Sequence, residues 1–342
     1  MELARGVHGA QRRCGGVALT PPIEPMLAEA RRELPPDGSL PGGLVMEAKS
    51  DGFRALLFAR PDGVLVQSRQ GADLTSAFPD IAAAAAGLDL VLDGELVVPA
   101  HGRLDFGELQ RRARRRGRSA VQAAVEFPAY LIVFDILEAD GVELLARPYR
   151  HRRAVLEERF ARGDLTAPFT LCPHTTDRAV GQEWLDPAWG AAGVEGVVVK
   201  GLNQPYLPGK RAWVKVRSYV SSEAVLAGIT GSFALPRTML LGRYDTAGGL
   251  RLIARTTPLR TAERRAIAQR VSPGGPDHPW HGRRFTASWG ARGGLEFHPV
   301  RPELVVEFVA DTAVDAGRYR HPVRYHRLRD DLAPDQVPPF ES

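Results

Sequence analysis

Lysine is nearly missing from this chain. Of its 342 residues, 45 are lysine or arginine, and only Lys49, Lys200, Lys210 and Lys215 are lysine. Arginine meets any need for bare positive charge, but a guanidinium keeps its proton and cannot act as an amine nucleophile. The positions where lysine survives therefore carry information. Cysteine is as scarce. The two present, Cys14 and Cys172, exclude a disulfide framework and a four-thiolate zinc site and favour a reducing, cytosolic setting. No apolar run approaches the ~20 residues needed to cross a bilayer, so no membrane partner is expected. The first twenty residues carry Arg5, Arg12 and Arg13 without an apolar core, which excludes a secretory signal. Rich in Gly and Ala, residues 1–20 are expected to form a disordered extension.

What is present is ordinary for a globular protein, with 44% hydrophobic and 25% charged residues. The length suffices for two cores, and the net charge of +5 suits a polyanionic partner. There is no internal repeat. Over 21–218, short apolar runs alternate with turn residues. Strands are expected at Leu44–Lys49, Ala55–Ala59, Val64–Ser68, Leu90–Val98, Tyr130–Leu137, Val194–Lys200 and Ala212–Val216. Helices are expected at Phe78–Ala86, Phe106–Arg116, Arg150–Arg162 and Asp177–Ala192. The pattern is α+β rather than a regular βαβ repeat. Over 219–342 the character changes to short strands at Ala224–Thr230, Thr238–Tyr244, Leu250–Thr256 and Leu304–Phe308. One helix, Thr261–Val271, has Thr261 as its expected N-cap, and the tail is Arg-rich. That make-up fits a small, partly open barrel of the OB type, with a hinge near Arg217–Val220.

Chemistry-bearing residues recur in a definite order. Glu47 and Lys49 alternate onto one face of a strand before the turn Asp51-Gly52 and Arg54. Ser68-Arg69-Gln70-Gly71 ends a strand. Asp93 and Glu95 share a strand face, where two carboxylates call for a cation. Phe134 and Asp135 lie on an apolar strand. Glu195-Gly196 opens a strand of three valines that ends at Lys200, and Trp213, Lys215 and Arg217 alternate onto one face. Each has a bland alternative, such as a paired core acid, a core aromatic or a solvated basic strand; the ordered set has no single one.

This order resembles that of the covalent nucleotidyltransferases, and the chain is similar to the ATP-dependent DNA ligases from about Pro22 to Asp331. The stretches Leu104–Gln110, Leu240–Asp245 and Arg320–Tyr325 look like the small actinobacterial ligases of the C type, which have only a nucleotidyltransferase (adenylation) domain and an OB domain. The resemblance implies an enzyme that uses ATP with Mg²⁺ or Mn²⁺ to seal nicks in double-stranded DNA. It would work as a monomer in DNA repair, alongside other repair proteins, in the nucleoid-associated cytoplasm. It also implies roles. Lys49 would attack the α-phosphate to give a lysyl-AMP phosphoramidate. Glu47 would take the adenine amino group and Phe134 would stack on the ring. Arg54 and Arg69 would contact ribose and phosphate. Glu95 would bind the ribose or a metal, and Glu195 a metal. Arg211, Lys215 and Arg217 would hold phosphates, and Arg327 and Arg329, with Asp331, would orient pyrophosphate.

Two positions depart from the family pattern. Arg217 stands where the relatives usually have lysine, which keeps the charge and adds a bidentate grip on phosphate. Arg327-Leu328-Arg329-Asp330-Asp331 stands where R-W-R-P-D is common, so the charges stay and the Trp and Pro are lost. An alkylammonium of pKa ~10.4 is mostly protonated at neutral pH; neighbouring cations and a divalent metal would free its lone pair. The basic run Arg111-Arg112-Ala113-Arg114-Arg115-Arg116-Gly117-Arg118 is expected to touch the DNA backbone, its bland alternative being a solvated helix face. The histidines show no metal-ligand spacing. An RNA ligase or a capping-type guanylyltransferase would share the lysine chemistry, but the C-type stretches favour the DNA ligase. The set Lys49, Glu95, Glu195 and Lys215 speaks against a non-catalytic OB-fold nucleic-acid-binding protein. An NAD-dependent ligase would carry a four-cysteine zinc site.

Overall fold

A computed structural model describes residues 18–100, 102–286 and 294–339. Most of the expected extension lies outside these residues, but its last part is packed. The Leu19 amide donates to Glu138 (2.6 Å) and its carbonyl accepts from Arg60 (3.2 Å). The ordered chain thus begins before the expected Pro21.

Three larger sheets organise the described residues. The first has the order Leu27–Arg31, Arg211–Arg217, Val194–Gly201, Leu44–Ser50, His174–Thr175. The second has the order Phe169–Leu171, Tyr130–Ala139, Leu90–Val97, Phe53–Arg60, Gly63–Ser68. The short apolar runs that mark the central strands in the sequence are buried on both faces. Met26, Leu56, Phe58, Val91, Leu137, Tyr206 and Trp213 form one buried cluster that draws on strands of both sheets. The far face of the second sheet packs on helices through Leu57, Leu92, Leu131, Ile81 and Leu156.

The chain crosses from the first sheet to the second at Asp51-Gly52, two residues beyond Lys49. A β-carbon at Gly52 would sit 2.2 Å from the Leu96 carbonyl oxygen, so only glycine permits this close crossing. At Gly196, with φ of +146°, a β-carbon would lie 2.2 Å from the Val216 carbonyl oxygen. The irregular register around it, between Val194 and Val197, lets the strand present Glu195 to the cleft.

The third sheet is antiparallel, with the order Leu250–Arg255, Leu235–Tyr244, Tyr219–Ser232, His298–Asp311, Arg324–Leu328. Apolar clusters lie around it: one includes Leu226, Met239, Ile253 and Phe308 and the other Val225, Leu240, Trp280 and Val305. With one α-helix among the described residues of that half, Thr261–Ala268, which ends short of the expected Val271, it has the composition of strands expected for the OB-type half. The expected Leu304–Phe308 strand is the centre of a much longer one.

Helices differ more from expectation. Asp177–Ala192 is broken into Arg178–Glu183 and a 3₁₀ turn Pro187–Ala192. Pro187 cannot supply a helical amide, and Asp186 caps the new turn by accepting from the Ala188 amide at 2.8 Å. The helix Phe106–Arg114 stops short, and a second one, Arg118–Glu126, follows it. The N-cap of the last helix is Arg260, not Thr261; the Glu263 carboxylate accepts from the Arg260 amide (2.7 Å), which satisfies an end amide without a Thr cap.

Candidate active site

A cleft of about 850 Å³ opens between the first two sheets. Glu47, Lys49, Arg54, Arg69, Glu95, Phe134, Glu195, Arg211, Lys215 and Arg217 all line it. The sequence-derived set is therefore gathered at one place, apart from Arg327 and Arg329.

The cleft has two chemically distinct ends. At one, Ile132, Phe134, Val198 and Trp213 form an apolar wall, and Glu47 is the buried carboxylate. Its Oε1 accepts from the Tyr149 hydroxyl (2.6 Å) and its Oε2 pairs with Lys200 Nζ (2.6 Å). Burial, and then Glu47, push the Tyr149 hydroxyl well above its usual range, so it stays a donor. Phe134 meets Trp213 edge to face at 6.2 Å. Arg54 is committed to the wall. Its Nε donates to Asp93 Oδ1 (2.9 Å), a second nitrogen binds Asp93 Oδ2, and the guanidinium lies 5.2 Å and 5.0 Å from the Phe134 and Trp213 rings. The fully buried Asp93 explains this: a buried carboxylate requires a paired cation. Asp135, on the neighbouring strand, is likewise in a buried structural ion pair, with Arg152 at 2.7 Å.

The other end is cationic. Lys49 Nζ is hydrogen-bonded to Glu195 Oε1. Among the described residues Arg69, Arg211 and Lys215 have no hydrogen-bond or ion-pair partner. Burial, then Arg217, Lys49 and Arg69, pull the Lys215 ammonium below its ordinary value. Glu95 is pushed up to about 7, mainly by burial and against the pull of Lys49 and Arg54. Glu195 Oε2 is buried and has no partner among the described residues. An orphaned carboxylate oxygen beside a second carboxylate fits a hard divalent cation of the Mg²⁺ kind, which takes one or two carboxylates and completes its shell with water and phosphate. The residues present thus fit such an ion.

Arg217 reaches the cleft but is tied down. Its Nη1 pairs with Asp311 of the third sheet, which also pairs with His321 Nδ1 (2.9 Å). Arg320 pairs with Asp51 and lies 3.2 Å from the Phe106 ring centroid. Arg320 and His321 line the cleft, a placement that their local sequence does not signal. The stretch Arg320–Tyr325 marks only a likeness to the C-type ligases and implies no chemistry of its own.

The expectation for Arg327 and Arg329 meets a different arrangement. Arg327 Nε pairs with Glu307 (2.8 Å), while Arg329 pairs with Glu223 (2.8 Å) and Asp331 (2.7 Å). Neither lines the cleft. The physical reason is that the loop at Arg320–His321 occupies the position facing the first two sheets, and the strand Arg324–Leu328 follows it on the third sheet.

The basic run is also divided. Arg112 is fully buried, bonded to Asp80 (2.8 and 2.9 Å) and the Phe127 carbonyl (2.7 Å), so it is not a DNA contact. Arg111 pairs with Glu108, and Arg116 folds back on the Ala113 and Arg115 carbonyls. Arg114, Arg115 and Arg118 are unpaired among the described residues.

Comparison with known proteins gives the frame for this geometry. The family model described as the ATP dependent DNA ligase domain matches residues 25–217. The chain is similar to DNA ligase C2 of Mycolicibacterium smegmatis, with 34% identity and 91% of each chain covered. It is similar also to DNA ligase C of Mycobacterium tuberculosis, with 33% identity and 92% of each covered. Among solved structures, a Lig E DNA ligase superposes with a TM-score of 0.53 at 16% identity, covering 89% of this chain and 99% of that one. The structure titled Pmar-Lig_PreS3 gives 0.57 at 18%, covering 90% and 68%. These two likenesses show the fold.

Proposed function

The chain belongs to the ATP-dependent DNA ligase family, and from that premise we propose that it seals nicks in duplex DNA by way of AMP carried on Lys49. The observation that carries this reading is the pairing of one lysine amine with Glu195 in a cleft that also holds Arg69, Arg211 and Lys215.

ATP lies with its base at the Glu47–Phe134 end and its phosphates among Arg69, Arg211, Lys215 and Arg217. Glu195 and Glu95 would hold Mg²⁺ or Mn²⁺, which would supply Lewis-acid stabilisation of phosphate charge. Lys49 loses its proton, its lone pair forms the N–P bond, and pyrophosphate leaves. Fixed cations favour the charge that develops and hold the line of attack. The AMP then passes to the 5′-phosphate of the nick, with release of the Lys49 amine. The 3′-hydroxyl displaces AMP to close the strand. Arg54 acts through the wall, bracing Phe134 and Trp213, rather than by direct contact with phosphate.

Residues 21–218 act as the adenylation domain and 219–342 as the OB domain. Arg114, Arg115 and Arg118 touch the DNA backbone, adding affinity without sequence preference. Arg327 and Arg329 act in a second arrangement, in which the third sheet turns that strand toward the cleft for the reaction with ATP. The enzyme works as a monomer in repair.

The deciding assay is ligation of a singly nicked duplex with Mg²⁺ and either ATP or NAD. Sealing with ATP and none with NAD is expected. Sealing that requires NAD would remove the proposal.

A further inference from the structure

Three of the four lysines have a place in, or face, the phosphate end or the surface; Lys200 does not. It is completely buried, 2.6 Å from Glu47 Oε2 and 3.2 Å from the Phe134 carbonyl oxygen. Its ammonium lies 4.3 Å from the Trp213 ring centroid, 4.7 Å from Phe134 and 5.0 Å from Tyr149. It is thus caged by aromatic faces at the base end of the cleft, remote from the reacting phosphate end in this chemistry. A buried ammonium is costly unless paired, and Glu47 is its ion-pair partner. The second cation near Glu47, Arg153, is engaged elsewhere, with Glu157 (2.8 Å) and the Cys172 carbonyl (2.9 Å).

We propose that Lys200 is a specificity-positioning residue: through its ion pair it fixes Glu47 as a carboxylate with acceptor oxygens only, so that the site takes a nucleobase bearing an amino donor at C6 and rejects one bearing a carbonyl. The inference rests on the reading of Glu47 as the base-contacting residue. An ionised carboxylate has no proton to donate, and each oxygen has two lone pairs. Tyr149 uses one on Oε1 and Lys200 one on Oε2. The lone pairs left can accept from the amino group of adenine. The carbonyl of hypoxanthine or guanine would meet a second acceptor, with no donor between them. Removal of Lys200 leaves a buried carboxylate without its contact counter-charge. The oxygen that Lys200 held is then open to water, and a water between two acceptors can donate to a carbonyl. The selectivity, rather than only the affinity, would then fall.

The test compares ATP with inosine triphosphate, which differs at C6 and N1. Two readouts are taken. One is the rate of nucleotidylation of the intact protein, followed by mass spectrometry. The other is the equilibrium dissociation constant of each nucleotide, measured by calorimetry in a Lys49→Ala background where no covalent bond forms. Because each readout is a ratio within one variant, partial loss of folded protein cancels. Lys200→Met should lower the ATP preference about 10-fold or more, the scale on which hydrogen-bond mismatches discriminate. Tyr149→Phe, which removes a hydrogen bond and leaves the ion pair, should weaken ATP binding and hold the ratio. An unchanged ratio in Lys200→Met overturns the inference. Should that variant fail to fold by circular dichroism, Lys200→Gln, which keeps a donor and drops the charge, decides by the same ratio. Glu47→Gln separates the two levels. A ratio that moves in Glu47→Gln but not in the Lys200 variants overturns this inference alone. A ratio that moves in neither overturns the placement of the base against Glu47.

Discussion

At the scale of single residues, Lys49 differs from the 41 arginines of the chain by one chemical property, an amine able to lose a proton. Lys49→Arg keeps charge and approximate length, yet should form no covalent nucleotide adduct, like Lys49→Ala. Incubation with labelled ATP followed by denaturing electrophoresis checks this, and near-normal labelling of the arginine variant would remove Lys49 from the nucleophile's role. Much of the site was legible at this scale. Strand alternation places Glu47 beside Lys49, and Trp213, Lys215 and Arg217 on one face, because the side-chain period is two. What alternation cannot convey is which cation each acid will take. Arg54 reads as a ribose and phosphate contact, and nothing in the local pattern signals its bond to the fully buried Asp93. Lys200 reads as the end of a valine strand until the Glu47 carboxylate, one strand over, is seen beside it. Such pairings depend on contacts between residues far apart in the chain, and local pattern carries no record of them.

At the scale of elements, the helix Phe106–Arg114 shows how one arginine-rich run divides into structure and surface. Arg112 points inward to Asp80, and its neighbours point out. Arg112→Ala leaves Asp80 without its cation and should cost roughly 3 kcal/mol of stability, as for breaking a buried pair, measured by urea unfolding. The joint change of Arg114, Arg115 and Arg118 to alanine should alter stability by under ~0.5 kcal/mol per residue. It should instead weaken binding to nicked DNA and flatten the dependence of log affinity on log salt by about 0.9 for each phosphate no longer neutralised. An unchanged slope would return these arginines to a solvated face. The longer strands of the first two sheets were legible because apolar runs end at turn residues, whereas the short edge strands Leu27–Arg31, Phe169–Leu171 and His174–Thr175 were not. The helices were less so. Pro187 cut a helix that composition alone would extend, and the helix Arg118–Glu126, opening directly after Gly117, was hidden behind the charge run.

At the scale of the whole molecule, the third sheet meets the first two through Arg320–Asp51 and Arg217–Asp311, while Arg327 and Arg329 are held by Glu307, Glu223 and Asp331. This docking was not legible in the sequence, since Asp51 and Arg320 come together only when both halves are folded. If the arginine strand turns to the cleft for the ATP step, Arg327→Ala with Arg329→Ala should strongly slow self-adenylylation. Sealing of a nick whose 5′ end already carries AMP should be largely spared, because that step has no pyrophosphate to orient. Equal loss of both steps in a folded variant would contradict the two-arrangement account. The central claim, that one lysine carries AMP between ATP and DNA, has its most direct test in the protein itself. The purified chain is incubated with ATP and Mg²⁺, digested, and the AMP-bearing peptide is mapped by mass spectrometry. The account requires a single acid-labile AMP on Lys49, discharged when nicked DNA is added. AMP on another residue, or an adduct on Lys49 that nicked DNA does not discharge, would contradict it.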